Sequence, residues 1–116
     1  MPIVEVTYGP RVTEPILREL ARVLPHAVSV AVACPEEPYD QHLAPGDVEL
    51  RFRQLGPFDV SGVDAVVEVR SKWFESRADN RQQRCESLHD FLAQETGLDN
   101  LGVYLVLPVA AWAQSD

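Results

Sequence analysis

The chain has 116 residues, 46 % of them hydrophobic, enough for one domain that buries a core without disulfides or metals. Its formal net charge of −8 argues against nucleic acid or an anionic membrane surface as a partner. No apolar run approaches the roughly 20 residues of a transmembrane helix, and Met1-Pro2-Ile3-Val4-Glu5 has no basic region ahead of an apolar one, so no signal peptide is expected and a cytoplasmic location is.

Cys34 and Cys85 lie far apart and belong to no CxxC or Cys/His cluster, so they are read as buried or incidental thiols. His26, His42 and His89 show no metal-ligand spacing, and no metal site is expected. Arg70, Lys72, Arg77, Arg81 and Arg84 make up half of the ten basic residues, opposed locally only by Glu75 and Asp79. This island fits either a small-anion site or a solvated strand end and helix face.

The first element is a strand over Pro2 to Tyr8, carried by Ile3, Val4, Val6 and β-branched Thr7, and Gly9-Pro10 ends it. Thr13 is placed to cap a helix with Pro15 in its first turn. Ile16, Leu17, Leu20, Val23 and Leu24 then recur at helical spacing. Pro25 is expected to kink or end this helix. In 27–33 the valines alternate as in a strand while the alanines suit a continued helix, and helix is the preferred reading.

Residues 34–46 hold Pro35, Pro38, Pro45 and several acids, and read as a loop that is either a lid or a surface insertion. Val48 to Leu55 is a strand with Val48, Leu50 and Phe52 on one face and Glu49, Arg51 and Arg53 on the other. Val63 to Arg70 is the next strand. Ser76 and Asp79 fit a capping box for a helix running to about Thr96, with Gly97 at its C-cap. Leu101 to Leu107 is a final strand, and the tail from Val109 to Asp116 is a short edge strand or an arm.

The order is β-α-β-β-α-β, and its halves echo each other. Val4-Glu5-Val6 leads to Arg11 and a helix; Val67-Glu68-Val69 leads to Arg77 and a helix. The fold class expected is α/β (α+β): two β-α-β units, about 1–55 and 63–108, in one domain, with a four-stranded sheet and both helices on one face. A ferredoxin-like module that binds small ligands has the same element order.

The duplication, together with Met1-Pro2-Ile3-Val4-Glu5-Val6, resembles the tautomerase superfamily. Val67-Glu68-Val69-Arg70-Ser71-Lys72-Trp73-Phe74 is similar to a group of tautomerase-like proteins. Arg77 with Arg81-Gln82-Gln83 is similar to 5-carboxymethyl-2-hydroxymuconate isomerase, and Val103-Tyr104-Leu105 to the last core strand of macrophage migration inhibitory factor.

The resemblance implies a cofactor-free keto-enol tautomerase that assembles as a homotrimer and acts on a small 2-oxo or 2-hydroxydienoic acid. Its proton carrier would be the amine of Pro2, exposed by removal of Met1. A free α-amine titrates near 8, and an apolar pocket with nearby arginines lowers that value, which suits general acid-base catalysis. The resemblance matches Arg11 to a carboxylate-binding arginine, Arg51 or Arg53 to an enolate-stabilising one, and Tyr104 to a tyrosine beside the proline; Arg77 joins the substrate-binding candidates. If Met1 is retained, the Pro2 nitrogen is a tertiary amide without basicity, and an inactive tautomerase-fold or ligand-binding module is the alternative.

Overall fold

The computed structural model describes residues 1–115; Asp116 lies outside the described residues. Ile3–Tyr8 form β1, Glu49–Gln54 β2, Ala65–Arg70 β3 and Leu101–Val106 β4. They make one mixed sheet in the order β2-β1-β3-β4. β1 and β2 run parallel, as do β3 and β4, while β1 and β3 are antiparallel. Each parallel pair is joined through a helix, so each half is one β-α-β unit. A ferredoxin-like split unit would insert a strand between β1 and β2, which here are direct neighbours.

The register makes the internal echo geometric. Val4 pairs with Val69, Glu5 with Glu68 and Val6 with Val67, so the two Val-Glu-Val runs cross at their centres. Alternation along the strands separates the faces. Val4, Val6, Val67 and Val69 are fully buried on one face, and Leu105 is nearly so. Helices α1 (Glu14–Val32) and α3 (Arg81–Thr96) cover them with Leu20, Leu24, Val28, Leu88 and Leu92.

Helix α1 continues through Pro25 to Val32, so of the expected kink or end the end does not occur, and the helical reading preferred beyond Pro25 holds. A proline inside a helix costs about 3 kcal/mol. The stripe beyond it, Ala27, Val28, Ala31 and Val32, is buried at helical spacing, and burying four apolar side chains outweighs that cost. Ser29, one turn past Pro25, donates its hydroxyl to the Pro25 carbonyl at 3.0 Å.

The Ser76–Asp79 capping box does not form. Ser76 sits inside a short helix α2 (Glu75–Ala78) and donates instead to Glu36 Oε2 at 2.8 Å. The chain turns at Asp79 and Asn80, and α3 begins at Arg81. Asn80 Oδ1 accepts from Arg84 Nε at 2.6 Å rather than capping the helix. Gly97 takes the C-cap as expected, at φ +75° in the left-handed region.

Within 34–46, Pro38–His42 form a 3₁₀ helix. The tail forms no strand over residues 109–115, so among the described residues it is an arm. Both cysteines are free, Cys34 buried and Cys85 half-buried. No described helix is long and apolar enough to cross a membrane.

Candidate functional site

The start of β1 fixes the position of the N-terminus. Pro2 is buried and its carbonyl accepts a hydrogen bond from Glu49 N at 3.0 Å, which continues the β1–β2 ladder. Met1 lines a cleft of about 460 Å³ with Glu37, Tyr39, Asp40, His42, Asp47, Lys72 and Trp112. That volume lies within the range of small-molecule sites. Two aromatic rings, several carboxylates, an imidazole and an amine thus share one opening at the N-terminal residue.

The 34–46 segment forms one wall, and three anchors hold it. Ser29 Oγ accepts from Leu43 N at 2.8 Å. Lys72 Nζ lies 3.4 Å from Glu37 Oε1. Arg77 Nη2 donates to Asp40 Oδ2 at 2.8 Å. Burial raises the Glu37 carboxyl, but the Tyr39 hydroxyl and the Lys72 charge outweigh it and hold the group below the usual carboxylate range. Glu37 and Asp40 are each matched by a cation.

The sequence-predicted site residues are not gathered in this cleft within one chain. Pro2 is buried next to Met1 and is not among the residues lining the cleft. Arg11 is exposed on the turn that follows β1, at the far end of that strand from Pro2. Six strand residues span about 20 Å. Arg51 pairs across the ladder with Glu5, and Arg53 with Thr7, so both project from the sheet face that no helix covers. Arg53 Nε is 3.7 Å from Glu5 Oε1, and Arg51 Nε is 3.7 Å from Glu49 Oε1. Tyr104 is 66 % exposed on the same face, opposite Glu68. Arg51, Glu5, Glu68 and Tyr104 therefore form one row across all four strands.

Arg77 is fully buried and its guanidinium is consumed internally. Besides Asp40, it donates to Val32 O at 2.6 Å and Lys72 O at 2.9 Å. Arg84 donates to Ala31 O and Ala33 O, both at 2.9 Å. Three consecutive carbonyls at the end of α1, which have no partner inside their own helix, are thus bound by two arginines. Four of the island's five cations are consequently engaged within the chain, and Arg81 is exposed. Arg77 and Arg84 close the helix, Lys72 faces Glu37, and Arg70 Nε pairs with Glu68 Oε2 at 2.5 Å.

Sequence reasoning missed Asp40, Tyr39 and Trp112 as cleft residues. The available signal was the run of prolines and acids in 34–46. It marked an unusual loop without showing where the loop folds back. A larger groove of about 510 Å³ between α1 and α3 is lined chiefly by Ala27, Val30, Ala31, Leu88 and Phe91, and it gathers no carboxylate or lysine.

No family model matches the sequence, and no curated protein matches it significantly. Solved structures do match across nearly the whole chain. Malonate semialdehyde decarboxylase aligns with a TM-score of 0.67 at 16 % identity, covering 98 % of this chain and 91 % of that one. A fused 4-OT symmetric trimer aligns at 0.64 and 16 % identity, covering 92 % and 85 %. A macrophage migration inhibitory factor-like protein from Entamoeba histolytica aligns at 0.62 and 15 % identity, covering 98 % and 95 %. The strand order, the paired β-α-β units and these alignments agree: the chain has the fold of the tautomerase superfamily.

Proposed function

We propose that the protein is a cofactor-free tautomerase or isomerase that moves a proton on a small carboxylate-bearing molecule through the amine of Pro2. One observation supports this reading: Met1 lines a cleft of about 460 Å³, and removing it would make the adjoining Pro2 nitrogen the chain's terminal amine. Pro2 itself is buried among core residues. Burial disfavours the charged amine and brings its titration toward neutral pH. A base poised there is typically worth about 10²–10⁴-fold in rate.

Lys72 and His42 are the cleft's basic groups within one chain. Arg11, Arg51, Arg53 and Tyr104 enter the reading through assembly. The uncovered sheet face carries Ile3, Val66, Val106 and Tyr104 among paired charges, which suits burial against other copies. One structural neighbour is a symmetric trimer. A homotrimer here would bring that face of one subunit toward the neighbouring subunits, and an arginine arriving beside another subunit's cleft would hold a carboxylate bidentately.

The acidic lining supports a second reading, a ligand-binding module without catalysis, since Glu37, Asp40 and Asp47 outnumber the cations facing the cleft. Ketonisation of 2-hydroxydienoate and of phenylpyruvate enol, followed by ultraviolet absorbance with protein that starts at Pro2, separates the two. The tautomerase reading predicts a rate well above the buffer reaction at pH 7. Binding of the acids without acceleration favours the module.

A further inference from the structure

Asp40 is 2 % exposed and lines the N-terminal cleft beside Met1, His42 and Lys72. Its Oδ2 is held by Arg77 at 2.8 Å. Its Oδ1 is also buried and has no hydrogen-bond partner, the one such side-chain atom among the described residues. Arg77 is bound at three points and cannot turn to serve both oxygens. A buried acceptor left empty carries its full desolvation cost, which only an incoming donor recovers. Arg77 is a donor-only partner on Oδ2, so what the carboxyl group leaves facing outward at Oδ1 is an acceptor. A hydroxyl therefore satisfies Oδ1, whereas a carbonyl oxygen at the same place meets a second acceptor.

We propose that Asp40 Oδ1 accepts a hydrogen bond from the hydroxyl of a bound 2-hydroxy acid, so that the cleft prefers the hydroxy, or enol, form over the 2-oxo form, with Lys72 beside the carboxylate. This rests on the reading of the cleft as a site for small acids. It assigns Asp40 a specificity role and no proton transfer. It also gives the site a direction: the hydroxy form is gripped, and the grip is lost once the product oxygen becomes a carbonyl.

The test uses wild-type protein starting at Pro2 and three stable probes of one carbon frame: lactate, pyruvate and propionate. Affinities are read from NMR shift titrations of cleft residues. Lactate is expected to bind at least about tenfold more tightly than either other probe, the scale of one unsatisfied buried acceptor. Asp40→Asn, whose amide presents donors as well as an acceptor, is expected to narrow the lactate-to-pyruvate ratio, with a thermal melt confirming its fold. Equal affinities of wild type for the three probes, or no binding by any, overturn the proposal whatever the variant does. Turnover separates this from the catalytic reading. Protein that discriminates hydroxyl from oxo but ketonises nothing keeps this inference and loses the tautomerase; active protein without discrimination does the reverse.

Discussion

Arg77 and Asp40 form an ion pair at 2.8 Å with side chains only 1 % and 3 % exposed. The pair ties α2 to the 3₁₀ helix that walls the N-terminal cleft, while the same guanidinium closes the end of α1 at Val32 O. One side chain thus joins α2 to two segments that lie 45 and 37 positions earlier in the chain. Breaking a buried pair from one side leaves an uncompensated charge and costs about 3–5 kcal/mol. Arg77→Leu is expected to lose that much in urea unfolding. A loss below about 1 kcal/mol would show that water reaches Asp40 freely.

Ser29 plays a neutral version of the same part. Its buried hydroxyl donates to Pro25 O at 3.0 Å and accepts from Leu43 N at 2.8 Å. Ser29→Ala leaves Leu43 N without that acceptor, for about 1–3 kcal/mol. Hydrogen exchange at Leu43 should accelerate well beyond the global change. Unchanged protection would show that the loop is held by Arg77 and Lys72 alone.

Gly97 closes α3 at φ +75°, donating its N–H to Ala93 O at 2.9 Å. A Cβ there meets no neighbouring atom, so strain is purely conformational. Gly97→Ala is expected to cost about 1–2 kcal/mol, the left-handed penalty for an L-residue. Denaturant midpoints should fall with an unchanged slope.

How much of this was legible in the sequence follows from the range of each interaction. The four strands, the Gly97 cap and the duplicated order were readable because period-two and helical spacing are local signals. The alternation of Glu49, Arg51 and Arg53 also gave their shared face correctly, confirmed by the β1–β2 register. An end of α1 at Pro25, one of the two outcomes expected there, is prevented because the proline's local cost is outweighed by burial of Val28 and Val32. Ser76 misled because its hydroxyl found Glu36, forty positions away. Arg77 resembled a ligand-binding cation, and nothing local to it announces Asp40 or the carbonyl of Val32.

Acid should loosen the cleft wall. Glu37 is buried and its carboxyl is held below the usual carboxylate range, burial opposing and the Tyr39 hydroxyl and Lys72 prevailing. A folded-state value below the unfolded one contributes stability that is present above the ordinary glutamate range and lost as pH falls through the folded value. NMR shifts of residues 36–43 should therefore hold down to about pH 4.5 and move below it. Glu37→Gln should remove part of that transition. A transition centred above pH 5 would contradict the sign.

The central claim is that the proton carrier is the amine of Pro2, and it is tested most directly by blocking that amine. Two preparations are compared: chain starting at Pro2, with its terminus verified by intact mass, and chain carrying one extra residue before it. The ketonisation rate of the same 2-hydroxydienoate is measured for both at pH 7, with circular dichroism confirming equal folding. An amide nitrogen has no usable basicity, so the extended chain should lose the 10²–10⁴-fold contribution typical of a positioned base. Equal rates from the two preparations would contradict the account.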